Sequence, residues 1–274
     1  MRGMNLASIA SALTIAGSDS GGGAGIQADL KTFAAHGVHG LSAIAALTAQ
    51  NTHGVTAIHV PPVAFLRAQI DACFDDFTIG AVKLGMLANA EVIHAVADVL
   101  EHHRPEYIVL DPVMIATAGA TLLEPAAVDA LRTRLIPLAT ILTPNIPEAE
   151  LLLGHAIADA DAADAALTGL LALGSRAVLL KGGHLPDSGT MVDRYADIAR
   201  TKRFVHERLD ITAHGTGCTL ASAIAANLCL GKSLLGACNA ATDYVHGALS
   251  NAFRPGQSDV AVLDHFWRRL LIQD

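Results

Sequence analysis

Residues 107–114 read YIVLDPVM. From Tyr107 to Leu110 the run is apolar without a polar alternate, so a strand here would bury both of its faces. A second stretch of the same kind, AVLLK at 177–181, ends on Lys181. Strands lacking a wet face belong to sheets covered by helices on both sides, and such sheets are mostly parallel.

The flanking segments carry the matching helical period. ALTIAG at 12–17 reads as a strand ending in glycine, and GIQADLKTFAAHG after it places Ile26, Leu30, Phe33 and Ala34 on one helical face. Further strands are expected at 41–48, 55–60, 79–84 and 139–145, with helices at 62–75, 89–103, 124–135, 147–153 and 160–173. Past Lys181 the period falls to two, so 189–210 predicts a small antiparallel edge hairpin. Helices over 217–230, 233–251 and 260–272 complete an α/β chain of 274 residues, read as one domain over 1–274.

Asp19, Gln50, Lys83, Asp111, Asn145 and Lys181 all fall where expected strands end. Open α/β sheets bind ligands beyond the carboxyl ends of their strands, so these positions predict one shared edge and one site.

Composition narrows the partners. Hydrophobic residues make up 52% and charged residues 16%, which describes a core-rich globular protein. Against 26 acidic residues stand 18 Lys and Arg, net charge −8, so neither nucleic acid nor an anionic membrane is an expected partner. The four cysteines, Cys73, Cys218, Cys229 and Cys238, form no CxxC pair and no dense scaffold, which fits a reducing cytoplasm. The N-terminal stretch has one Arg and a short apolar run, but Asp19 and a glycine run follow at once, and no eighteen-residue apolar span occurs. A homodimer is expected.

Two phosphate motifs are excluded. LCLGKS has Ala226 where a Walker A loop needs glycine, and Gly21, Gly22, Gly23 and Gly25 lack dinucleotide spacing. No HExxH or cysteine cluster suggests zinc.

Three stretches carry chemistry. AGSDSGGGAGIQADLKTF (16–33) sets four glycines before a helix, which allows close approach of backbone to a ligand; a flexible loop, with Asp29 and Lys31 on a solvated helix surface, explains it equally well. HGTGCTLASAIAANLCL (214–230) can converge the amides of Gly215, Thr216, Gly217 and Cys218 on an anion, and a helix N-terminus lowers a thiol pKa; a small-residue turn with a buried Cys218 is the plainer reading. TPNIPEAELLLG (143–154) spaces Asn145 and Glu148 three apart at a helix start, which suits both a capping box and a hydrated Mg²⁺.

Together with TAQNT (48–52), VKLGML (82–87), VLDPVM (109–114) and LLKGGH (179–184), these stretches resemble the hydroxymethylpyrimidine and phosphomethylpyrimidine kinases of the ribokinase-like superfamily. The resemblance spans most of the chain in the family's order. It implies a three-layer αβα sandwich, ATP and Mg²⁺, and phosphorylation of 4-amino-5-hydroxymethyl-2-methylpyrimidine and then of its monophosphate. It places Gln50 on the aminopyrimidine, where a side-chain amide offers a donor beside an acceptor. Gly17, Ala24, Asp29, Met86 and Val113 would complete that pocket. Lys181 would lie near the ATP phosphates with Thr216 and Gly217, while Asn145, Glu148 (through water) and Asp111 organise Mg²⁺. Cys218 falls where sugar-kinase relatives carry an aspartate base. One departure is Gly119–Ala120, where the family often has a Gly-Asp pair. Some pyridoxal kinases share the glycine-rich opening and the HGTGC segment, so pyridoxal is the rival substrate; a catalytically silent nucleotide-binding regulator is a rival of another class.

Overall fold

The structure, a computed structural model, describes residues 9–114, 125–185 and 189–270. Gly119–Ala120 therefore lies outside the described residues.

In chain order the elements are β1 (Ser11–Asp19), α1 (Gly25–Ala35), β2 (His39–Asn51), β3 (Gly54–His59), α2 (Val63–Asp76), β4 (Ile79–Leu84), α3 (Ala90–His103), β5 (Ile108–Leu110) and α4 (Pro125–Ala130). There follow β6 (Ile141–Leu142), α5 (Ile146–Leu153), α6 (Ala160–Ala172), β7 (Ala177–Leu180), β8 (Thr190–Asp197) and β9 (Thr201–Glu207). The chain closes with β10 (Ala213–His214), α7 (Thr216–Cys229), α8 (Leu234–Ser250), β11 (Ala261–Val262) and α9 (Trp267–Leu270). Helix α4 runs on into a wide turn over Leu131–Leu135 and a tight one over Ile136–Leu138, where Pro137 stops it.

Among the described residues nine strands form one sheet in the order β3-β2-β1-β4-β5-β6-β7-β8-β9. The six from β2 to β7 run parallel, and both edges are antiparallel.

The doubly apolar strands explain the layers. Along β5, Ile108 and Leu110 join one core while Val109 between them joins the other; along β7, Val178 and Leu180 part from Ala177 and Leu179 in the same way. The first core takes residues from α2 to α6, the second from α1, α7 and α8. Each buried Leu, Ile or Val contributes about 1.5–3 kcal/mol by leaving water, so a strand that feeds two cores is held on both faces. This is the three-layer αβα sandwich with an antiparallel hairpin, β8–β9, at the edge.

The strands expected at 41–48 and 55–60 form a second hairpin, β2–β3, turning tightly at Thr52–His53. One sequence expectation needs correction. Of the helix expected over 260–272, the described residues up to Leu270 form little. Pro255 and Gly256 break the chain after α8, and Ala261–Val262 instead pairs parallel with Ala213–His214, leaving only the short α9. That swap matters, because Val262 buttresses the glycine loop: a Cβ on Gly23 would lie 2.8 Å from its Cγ1.

Candidate active site

A cavity of about 500 Å³ opens at the carboxyl ends of the parallel strands. Asp19, Gln50, Lys83, Asp111, Asn145 and Lys181 all line it, so the six strand-end positions do share one edge. Gly17, Ala24, Met86, Val113, Glu148 and the run Gly215, Thr216, Gly217, Cys218 line it as well; Asp29 does not.

The glycine loop before α1 is built around an anion that the chain itself supplies. Asp19, 3% exposed, accepts hydrogen bonds from the amides of Gly21 at 2.8 Å, Gly23 at 2.9 Å and Ala24 at 2.8 Å. Burial works to raise its pKa, but His214 and these amides outweigh burial and hold the carboxyl below its usual value. The loop is therefore neither a flexible connector nor an open phosphate cradle. His214 Nε2 stands 3.3 Å from Asp19 Oδ2 and 2.6 Å from the Gln50 side-chain amide. The backbone of Gln50 is pinned to Ser20, whose Oγ accepts from the Gln50 amide at 2.8 Å and donates to its carbonyl at 2.7 Å.

Asp29 requires the clearest correction. Neither a solvated helix residue nor a wall of the cavity, it is fully buried behind the wall, where Thr14 Oγ1 (2.6 Å), Ser222 Oγ (2.6 Å) and Lys83 Nζ (2.9 Å) all donate to its carboxylate. It lies behind the residues that line the cavity, so the expected contact with a heterocycle is blocked by its position. Lys83, whose side chain is equally buried, does face the cavity; burial acts to lower its pKa, and the Asp29 charge overrides this and raises it.

Cys218 lies in the first turn of α7. Helix position alone would depress its pKa, yet burial dominates and, with Lys83 opposing, pushes the thiol up to about 11. At neutral pH it is a protonated thiol.

At the other end of the cavity Lys181 Nζ sits 2.8 Å from Asp111 Oδ1 and 3.6 Å from Glu148 Oε2. Burial opposes the Lys181 charge, but the two carboxylates prevail and raise its pKa. Glu148 is held above the usual carboxylate range, first by burial and then by the like charge of Asp111 against the pull of Lys181. Asn145 and Glu148 also form the full capping box of α5, each side chain bonded at 2.8 Å to the other's backbone amide. Asp111 and Glu148 thus set carboxyl oxygens around the Lys181 ammonium. That donor set fits a hydrated divalent cation bound partly through water, and no cluster of three direct His, Cys, Asp or Glu ligands exists among the described residues.

Helix α7 starts between these groups. Its N-cap is Gly215 at φ +84°, and no side chain caps its first turn. A Cβ on Gly217 would lie 3.1 Å from Lys181 Nζ and 3.3 Å from Asp111 Oδ2. Uncapped amides, a helix dipole and an ammonium thus converge on one spot, an arrangement made for a phosphoryl group.

Asp19, Lys83 and His214 received no role from the sequence. Their strand-end positions, and for His214 its place directly before Gly215, were the available signals; their partners lie up to 195 positions away in the chain, as with His214 and Asp19.

The fold and this site define a phosphotransferase of the α/β kinase type. The sequence pattern described as phosphomethylpyrimidine kinase matches residues 19–263, and the chain belongs to that family. The hydroxymethylpyrimidine/phosphomethylpyrimidine kinase of Haemophilus influenzae is 46% identical over 92% of this chain and 95% of its own. The thiamine biosynthesis bifunctional protein of Geobacter sulfurreducens is 52% identical over 87% of this chain, which spans about half of that longer protein (49%). Among solved structures, the ADP complex of Bacillus subtilis pyridoxal kinase superposes with a TM-score of 0.88 at 34% identity, covering 96% of this chain and all of that one.

Proposed function

We propose that this protein transfers the γ-phosphoryl group of ATP to the hydroxymethyl oxygen of 4-amino-5-hydroxymethyl-2-methylpyrimidine, and then a second phosphoryl group to the monophosphate, for thiamin biosynthesis. The observation that carries the reading is one cavity with an amide reader, Gln50, in one wall and the uncapped start of α7 beside Lys181 in another. Relatives bearing this activity in their names share 46% and more of the sequence over most of the chain.

Phosphoryl transfer asks for positioning and charge neutralisation more than for a strong base. The amides of Gly215, Thr216, Gly217 and Cys218 hold the migrating group, and Lys181 neutralises its oxygens. Glu148, Asp111 and Asn145 would hold Mg²⁺ partly through water; when bound, the ion supplies further neutralisation of the triphosphate. Gln50 orients the heterocycle between Met86 and Val113, while Gly17, whose Cβ would come within 3.2 Å of Met86 Sδ, lets the backbone approach the ring. Asp29 works from below by fixing Lys83. The neutral Cys218 thiol donates a weak hydrogen bond toward the alcohol oxygen; as base only its minor thiolate form, its own proton already given to solvent, can accept the alcohol proton while the new O–P bond forms and the bond to the ADP leaving group breaks.

The test separates the two steps. An alcohol loses a proton on attack, whereas the monophosphate is already anionic. Cys218→Ala should therefore slow the first phosphorylation much more than the second, and equal losses would leave Cys218 a packing residue only. Pyridoxal is the second reading, favoured by the Bacillus subtilis pyridoxal kinase likeness; competing both substrates in one ATP-consumption assay decides between them.

We further read residues 1–274 as one domain, working in the cytoplasm as a homodimer. The unbroken nine-stranded sheet supports the first. Four free cysteines, and the lack among the described residues of any helix long and apolar enough to cross a membrane, accord with the second. Exposed Leu47 and Ile58 on the β2–β3 hairpin support the third.

A further inference from the structure

The geometry points to His214 as the positioning residue that sets which way round the Gln50 amide faces the heterocycle, and so makes the site select a ring amine over a ring carbonyl. The inference rests on Gln50 reading the pyrimidine edge, and its test keeps the two claims apart.

Both ends of the Gln50 amide meet fixed groups. One end lies 3.1 Å from Thr48 Oγ1, the other 2.6 Å from His214 Nε2. Thr48 has a single proton, and its hydroxyl is 2.9 Å from the carbonyl of Ser18, which can only accept. The proton goes there, so Thr48 Oγ1 presents a lone pair to Gln50 and asks for the NH₂ end. On the other side His214 Nε2 also faces Asp19 Oδ2 at 3.3 Å. A ring-nitrogen lone pair aimed at an ionised carboxylate is repelled, whereas an N–H is attracted. Nε2 therefore carries the proton and asks for the carbonyl end of Gln50.

With Nε2 of Gln50 turned toward His214, both demands fail: two lone pairs meet at Thr48, and the ring nitrogen must offer its lone pair beside Asp19. With the amide turned by half a revolution, its NH₂ donates to Thr48 Oγ1 and its carbonyl accepts from His214 Nε2, so both demands are met. What decides between amide orientations and imidazole tautomers is this network of partners.

One lone pair of the Gln50 carbonyl and one N–H of its NH₂ then remain for the ligand, the acceptor on the His214 side and the donor on the Thr48 side. A 4-aminopyrimidine matches this order with its amine toward His214 and its ring nitrogen toward Thr48. The hydroxymethyl group is attached beyond the amine, away from that ring nitrogen, so it points past His214 toward Gly215–Cys218, where the phosphoryl cradle lies. The same ring read the other way round would aim its hydroxymethyl group away from α7. A 4-oxo ring, with N–H and C=O in place of N and NH₂, presents the reversed pattern and would need the reversed amide.

Two measurements test this. In the wild-type protein, ¹⁵N-resolved imidazole NMR should show His214 protonated at Nε2; a neutral ring with its proton on Nδ1 overturns the inference. In steady-state kinetics, the 4-amino and 4-oxo forms of the hydroxymethylpyrimidine are compared. His214→Leu frees the amide to turn, so the preference for the amine in kcat/KM should fall by about tenfold or more. The loss should sit in the pyrimidine KM with the ATP KM unchanged. His214→Gln, which restores an NH₂ donor at similar reach, should recover the preference. A change in preference of less than about twofold in His214→Leu overturns the inference, and if that variant does not fold the NMR result decides alone. Gln50→Ala keeps the claims distinct. If it leaves pyrimidine KM unchanged, the reading of Gln50 fails; if it raises KM while His214→Leu leaves the amine preference intact, only the role of His214 fails.

Discussion

At the scale of single residues, burial decides between readings that sequence position leaves open. Cys218 sits at a helix N-terminus, which favours a thiolate, yet desolvation raises its pKa to about 11. A raised thiol pKa means the neutral form persists through physiological pH, and the thiolate fraction climbs about tenfold per pH unit below that value. Alkylation of Cys218 by iodoacetamide, followed by mass spectrometry of its peptide, should rise about tenfold per unit from pH 7 to 10; a plateau below pH 8 would contradict the raised thiol pKa. Asp29 shows the same lesson. Its place in an amphipathic helix says nothing of Lys83, 54 positions on, or Ser222, 193 positions on. Because both side chains of the Asp29–Lys83 pair are fully buried, Lys83→Met should lower unfolding stability by about 3–5 kcal/mol in urea titrations. Adding Asp29→Asn should recover part of that loss, since the stranded charge is then gone.

Among the elements, legibility followed the reach of the signal. The doubly apolar strands and capped helices were readable, because burial on two faces and the Asn145–Glu148 box are written in neighbouring residues. The pairing of β2 with β3 went unread and β11 was misread as helix, because pairing partners such as Ala213 and Ala261 are set by the assembled sheet rather than by local period. The start of α7 was readable as a glycine-rich turn, while its reason was not. Gly215 has φ +84°, and a Cβ there would stand 2.0 Å from the Gly23 carbonyl oxygen. Gly231 has φ +80° with nothing within 4 Å of its would-be Cβ. Alanine at Gly231 should therefore lose only the left-handed backbone preference, about 1–2 kcal/mol, and keep full activity. Alanine at Gly215 must also push the glycine loop from α7, so it should lose more stability and most of its kcat; equal effects in thermal melts and assays would show the close approach to be slack.

For the whole molecule, the parallel sheet could be read from alternating apolar strands and helices, whereas assembly could not, because it depends on which apolar groups stay outside. Leu47 is 42% and Ile58 44% exposed on the β2–β3 hairpin, and Phe65 at the start of α2 is 62% exposed. Among the described residues strand β3 pairs only with β2, which leaves its other edge without a strand there. Such an edge with apolar neighbours is a hazard unless something covers it, and a second copy would do so symmetrically. The hairpin also carries Gln50 and Val55 of the cavity wall, so covering it would steady the wall proposed above to read the heterocycle. Sedimentation equilibrium at micromolar concentration should return twice the chain mass. Ile58→Asp should shift the protein toward monomer and raise the pyrimidine KM more than the ATP KM, because the ATP site proposed above, at α7 and Lys181, lies farther along the sheet. A wild-type monomer would leave the exposed edge without an occupant and remove the coupling between assembly and pyrimidine binding.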